Sequence, residues 1–209
     1  MEKSLTKLHK YFYWPSLKKN VKKYIKCVVC VIPKTPNQWY GLYKPFLILV
    51  WTWESISLDY LIGYPITKHQ PDVILVVVDE FSKMAILIPC KKTTKSQTQK
   101  YVQLLFEHVW KYYGLPTTII SNKDSIFVST FWKTLWQQLD TQLSKSIMFH
   151  PQADRQMEVV NCMVVQLLCM YNHKHRRTWD DNLPYIQHSY NCAQHSSTGK
   201  SPFDICCGF

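Results

Sequence analysis

Three polar residues close apolar stretches of the 209-residue sequence: Asp59, Asn122 and Glu158, with 35 residues between the last two. Taken singly, Asp59 is a chance position on a strand and Glu158 is a solvated charge on a helix, so residue type alone settles nothing. The second group that could carry chemistry is Cys27-Val28-Val29-Cys30, the one cysteine pair with a recognisable spacing. The other six cysteines (Cys90, Cys162, Cys169, Cys192, Cys206 and Cys207) lie in apolar or loop stretches and read as reduced thiols. The third is positive charge. Residues 1–35 hold nine lysines against Glu2 alone, so +8 of the net +11 is concentrated there. Such a block is either a solvated helix face or an arm for nucleic-acid phosphates.

The elements that must position these groups follow from hydrophobic periodicity. Leu5, Leu8 and Phe12 recur at helical spacing, as do Leu17, Val21, Tyr24 and Ile25, with Pro15 between the two sets. Two short basic helices before Cys27 make a unit too small to hold itself together unaided. Pro33, Pro36 and Pro45 mark an extended linker. Strands are expected at Ile56–Ile62, Val73–Val78 and Met84–Pro89. The unbroken β-branched run of the second suits a buried central position. A helix follows with Val102, Leu105, Phe106, Val109 and Tyr113 on one face, ended by Gly114 and Pro116. Then come a strand at Thr117–Ser121, a helix over 127–139, a weak strand near Gln142–Ile147, a long helix from Gln152 to Asn172 and a last one over Trp179–Cys192. Three antiparallel strands and then alternating helices and strands make a mixed α/β sheet. No run of about 18 apolar residues suggests a membrane span, and the N-terminus lacks the apolar core of a signal peptide, so an intracellular protein is expected.

In order along the chain stand Phe12-Tyr13-Trp14-Pro15, Trp53-Glu54-Ser55-Ile56-Ser57-Leu58-Asp59 and Val76-Val77-Val78-Asp79-Glu80-Phe81-Ser82-Lys83-Met84. Gly114-Leu115-Pro116, His150-Pro151-Gln152-Ala153-Asp154 and His195-Ser196-Ser197-Thr198-Gly199-Lys200-Ser201-Pro202-Phe203 follow. With these stretches the sequence resembles the integrases of gypsy-type LTR retrotransposons over nearly its whole length. The resemblance implies a ribonuclease H-like mixed five-stranded sheet with flanking helices, preceded by a small helical zinc-binding-like unit. It divides the chain into 1–33, a linker 34–50 and a catalytic core-like domain 51–209. It also implies DNA integration, a nuclear location, a Mg²⁺ or Mn²⁺ requirement, DNA as partner and room for a homo-oligomer.

In such enzymes two Asp and a Glu bind two metal ions, and the matching positions here are Asp59, Asn122 and Glu158. Two metals about 3.5–4 Å apart activate a water or 3′-hydroxyl and stabilise the leaving oxygen of an in-line displacement at phosphorus. Magnesium gains most from anionic oxygens. Asn122 offers a neutral carbonyl and cannot bridge as a carboxylate does, so weak metal occupancy and severe loss of turnover are expected. Asp124, two positions on, is a less favourable substitute because catalytic geometry tolerates errors of only about 1 Å.

The family's helix around the Glu grips DNA through basic residues, yet Gln156–His173 contains no Lys or Arg. Val159, Cys162 and Val165 stand where a basic stripe is expected, and a helix apolar on nearly every side is expected to be buried. Nucleic-acid contact is therefore assigned to Lys18, Lys19, Lys22, Lys23 and Lys26, with Gln152, and is expected to be weak and sequence-independent. The family's zinc site pairs two upstream histidines with Cys27 and Cys30; the chain is expected to start after them, leaving a weak half-site. It is likewise expected to stop before a C-terminal module. Asn122, Arg155, Met157, Cys162 and Cys169 each stand one C-to-T or G-to-A transition from the family's common residue. That pattern suits a relic decaying in a CpG-methylating genome, with ordinary drift as the alternative. A crippled strand-transferase descendant, a domesticated non-enzymatic binding module, and an enzyme using Asp124 are the three functional readings, in that order.

Overall fold

The computed structural model of the chain describes residues 5, 8, 9, 11–25, 49–92, 98–122, 127–145, 151–172 and 176–208, without the side chains of 22, 24, 25, 145, 151–155 and 176. The chain divides into two compact units, Met1–Phe46 and Leu47–Phe209. In the first, α1 (Leu17–Ile25) buries Leu17 and Val21, one turn apart, and exposes Lys18, Lys19 and Lys23.

The second unit is built on β1 (Ser55–Leu61), β2 (Val73–Asp79), β3 (Ala85–Cys90), β4 (Thr118–Ser121) and β5 (Gln142–Lys145), in the order β3-β2-β1-β4-β5. β2 is antiparallel to both its neighbours, and β4 runs parallel to β1 and β5. All seven residues of β2 are buried, as its apolar run demands of a strand covered on both faces.

The helices are α2 (Thr98–Leu105), which passes through a π-helical turn at Phe106–Trp110 into α3 (Lys111–Tyr113), then α4 (Thr130–Gln138), α5 (Pro151–Tyr171), α6 (Trp179–Asn191) and α7 (Pro202–Cys206). Gly114, with φ of 82°, ends α3 as the sequence leads one to expect. The π turn interrupts what periodicity presents as one continuous helix; with its extra residue per turn, the adjacent Val109 and Trp110 are both buried. Ser129 caps α4 by accepting the Trp132 amide, so this helix starts later than the apolar pattern. Ser201 and Asp204 form a capping box on α7, which apolar periodicity does not announce.

Strand alternation splits the core in two. On one face Ile56, Leu58, Leu75 and Val77 pack with Tyr101, Leu105, Val109, Trp132 and Trp136. On the other Ile74, Val76, Val78 and Leu87 pack with Met157, Val160, Val164, Leu168, Trp179, Leu183 and Ile186. α5 is buried on that side only. Val159 is 49% and Val165 38% exposed, so the expectation of a helix buried all round is corrected: its apolar sequence covers a core face and a solvent face alike.

β3 is an edge strand, and α6 closes it with side chains. Asn191 accepts the Ala85 amide at 2.9 Å and donates to the Ala85 carbonyl at 2.8 Å, while Gln187 accepts the Leu87 amide at 2.8 Å.

Candidate active site

Register brings the first two candidate residues together. Leu58 pairs with Ser121 in the parallel β1–β4 ladder, so the next residues along, Asp59 and Asn122, emerge side by side. Asp59 also pairs with Val76, which belongs to the core face covered by α5, so its carboxylate points toward that helix.

Three N–H donors reach the carboxylate. Asn122 Nδ2 donates to Asp59 Oδ1 at 2.5 Å, the Tyr60 amide donates to the same oxygen at 2.8 Å, and Asn161 Nδ2 donates to Oδ2 at 2.6 Å. An ionised carboxylate only accepts, so both amides must present their NH₂ groups to it and turn their carbonyls away. Glu158 is exposed on α5, three residues before Asn161 and hence on the same flank of the helix.

Asn161 is the member of this group that sequence reasoning missed. Its signal was a lone carboxamide one turn beyond Glu158 in a stretch otherwise apolar on that side. As a donor set for two divalent ions the group is poor: Asn122 supplies no charge, and amide hydrogens occupy the Asp59 oxygens that a cation needs.

No protein-family model matches the chain. The Tf2-3 and Tf2-4 transposon polyproteins of Schizosaccharomyces pombe (strain 972) are each 37% identical to it over 197 residues, 93% of the chain. The chain spans 14% of the length of these relatives. Solved integrases share the fold. The HTLV-2 integrase catalytic core domain in complex with magnesium superposes with a TM-score of 0.57 at 18% identity, covering 74% of this chain and 96% of that one. A chain of the simian T-cell lymphotropic virus intasome, solved with the PP2A regulatory subunit B56 gamma, gives 0.63 at 15% identity over 98% of this chain and 70% of that one. The chain is similar in sequence to a segment of retrotransposon polyproteins and has the fold of an integrase catalytic core. Its core also matches that of BIV integrase, with a TM-score of 0.57 at 17% identity over 75% of this chain and 95% of that one.

A polar chain that starts two residues before Asp59 ties α5 to the turn after β2. Ser57, two residues before Asp59 on the same face, donates to Glu80. Lys83 Nζ lies 3.8 Å from Glu80 Oε2 and donates at 2.5 Å both to the Glu80 carbonyl and to Gln156 Oε1, two residues before Glu158. Burial holds the Lys83 pKa below its ordinary value, against the opposing pull of the Glu80 and Asp79 carboxylates. Asp79 shapes the turn that carries both: it accepts from the Trp53, Phe81 and Ser82 amides and from the Ser82 hydroxyl.

Of the other expected positions, Lys18, Lys19 and Lys23 are exposed on α1. Cys27, Cys30, Lys26 and Asp124, and the side chains of Lys22 and Gln152, lie outside the described residues. No helix among the described residues is long and apolar enough to cross a membrane.

Proposed function

We propose that this integrase-like chain descends from a metal-dependent DNA strand-transferase and no longer turns over. The observation that carries the reading is the Asn122 amide donating to Asp59 at 2.5 Å. A hydrogen bond stands where the two carboxylates of such an enzyme would share a cation, and it leaves the Asp59 charge compensated without metal. Asp59, Asn122 and Glu158 are the remnant of the reaction centre, and Mg²⁺ or Mn²⁺ binds there weakly. Phosphate contact falls to Lys18, Lys19, Lys22, Lys23 and Lys26, because α5 carries no Lys or Arg from Gln156 onward. Such binding is sequence-independent and falls steeply with salt. Self-association is proposed with it, on the strength of the dimeric and trimeric forms of the HTLV-2 core.

Strand-transfer and mobility-shift assays on the chain and its Asn122→Asp variant test this. Weak DNA binding with no strand transfer by either protein is the expected result; transfer by the parent would refute it. The variant stays poor because Val159, Cys162 and Val165 still replace the basic stripe. A domesticated module that binds nucleic acid or protein is the second reading, favoured by the exposed Val159 and Val165. Expression together with DNA affinity undiminished by salt would move the balance toward it.

A further inference from the structure

A second group of possible metal ligands lies away from Asp59, off the β3 edge of the sheet. His69, Asp180 and Asp181 each present one ligand atom, all within 4.8 Å of one another. The loop before β2 is strapped to the start of α6 in a way that assembles them. Trp179 Nε1 donates to the Pro65 carbonyl at 2.7 Å, the Tyr64 and Trp179 rings lie 5.1 Å apart, and Thr67 Oγ1 donates to Asp180 Oδ2 at 2.6 Å. Gln70, with φ of 66°, and its amide bond back to the Thr67 carbonyl at 3.1 Å turn the loop so that His69 Nε2 comes to 3.6 Å from Asp181 Oδ1.

The observation that points to a ligand is Asp180. Its residue is only 8% exposed, Thr67 serves one carboxylate oxygen, and the other, Oδ1, is buried with no hydrogen-bond partner among the described residues. A buried carboxylate oxygen without a donor is costly. The α6 N-terminus favours both acids electrostatically but does not fill that valence. A cavity of about 400 Å³ opens beside it, lined by His69, Asp180 and Asp181 and also by Cys90 and Lys91.

We infer that His69, Asp180 and Asp181 form a binding site for a divalent transition metal of the Zn²⁺ or Co²⁺ type, separate from the Asp59 centre. Ligand distances of about 2.0–2.2 Å in a tetrahedral site put neighbouring ligand atoms about 3.4 Å apart, close to the His69–Asp181 separation. The imidazole selects against Mg²⁺ and Ca²⁺, which take oxygen. Water completes the coordination, and Thr67 orients Asp180 as an outer partner. The inference is independent of the proposed function, since it uses none of the residues of the Asp59 centre.

Co²⁺ titration of the full chain, followed by visible absorption, tests it. The expected result is one Co²⁺ with d–d bands, no thiolate charge-transfer band, and retention in both Asp59→Asn and Cys27→Ser. His69→Ala and Asp181→Asn, both at exposed positions, should each weaken binding at least tenfold while costing the metal-free protein no more than about 1 kcal/mol, the share of a charge at a helix N-terminus. Absence of binding below millimolar Co²⁺, binding untouched by His69→Ala, or loss on Cys27→Ser would each overturn the assignment.

Discussion

Replacing Asn122 with Asp exchanges a donor for a second negative charge at the very oxygen it serves. In the parent, Asn122 Nδ2 lies 2.5 Å from Asp59 Oδ1. A hydrogen bond to a charged group contributes about 1.5–3 kcal/mol, and Asn122 is exposed, which favours the low end. In the variant two carboxylates face each other. Rotated apart to about 4 Å, they repel by about 1 kcal/mol in the dielectric of water and about 4 kcal/mol at an effective dielectric of 20. With solvent near at hand, the metal-free variant is expected to lose about 2–4 kcal/mol at pH 7. For a chain of this size that lowers Tm by roughly 2–4 °C per kcal/mol.

The pH dependence has a definite sign. Like-charge contact raises a folded-state carboxylate pKa above its unfolded value, so the deficit is complete above the raised value. It shrinks as pH falls through that value and vanishes below the unfolded one. Mn²⁺ should reverse the deficit, since free metal at 100 times its Kd returns about 2.7 kcal/mol. Thermal melts of parent and variant with EDTA and with Mn²⁺, alongside isothermal titration, read all of this. A metal-free variant as stable as the parent, or an equal Mn²⁺ response from both proteins, would refute the reasoning.

Asp79→Ala strips an acceptor from three amides and a hydroxyl at a fully buried position, so a loss above about 3 kcal/mol is expected in urea unfolding; a parent-like midpoint would contradict it. Burial pushes the Cys90 thiol up to about 12, so at pH 8 it should resist DTNB until the protein unfolds while the exposed Cys169 and Cys207 react; fast native labelling of Cys90 counts against the packing described. Deleting residues 1–30 should weaken DNA binding and flatten its logarithmic salt dependence by about 0.9 for each phosphate no longer neutralised, and an unchanged slope would remove α1 from the interface.

The strongly patterned parts of the fold were legible before the structure. Val73–Val78 read as a buried central strand, which the structure extends by one residue to Asp79, and Gly114 with Pro116 read as the stop of a helix. The weak strand at Gln142–Lys145 was harder to read because an edge position asks little of its side chains, and its helical neighbour starts where Ser129 caps it rather than where apolar residues begin. The pairing of Asp59 with Asn122 followed from the family resemblance and is explained by the parallel register of β1 and β4. What sequence could not display was the tertiary use of polar side chains. Asn161 reaches Asp59 across 102 positions of chain, and Lys83 is drawn under the sheet by Glu80 and Gln156. Neither is marked by any local periodicity. The exposure of Val159 and Val165 escaped for the converse reason: hydropathy does not say which apolar face of α5 meets the core.

Asn191 and Gln187 have a consequence for how copies of the chain meet. A primary amide offers an acceptor and a donor at about the spacing of a peptide group, so Asn191 stands in for one residue of an absent neighbouring strand, and Gln187 continues the imitation at Leu87. At β3 the sheet thus ends on side chains that cannot be extended, where it would otherwise end on a template open to any extended peptide. Extended segments of neighbouring chains are thereby turned away at Ala85 and Leu87.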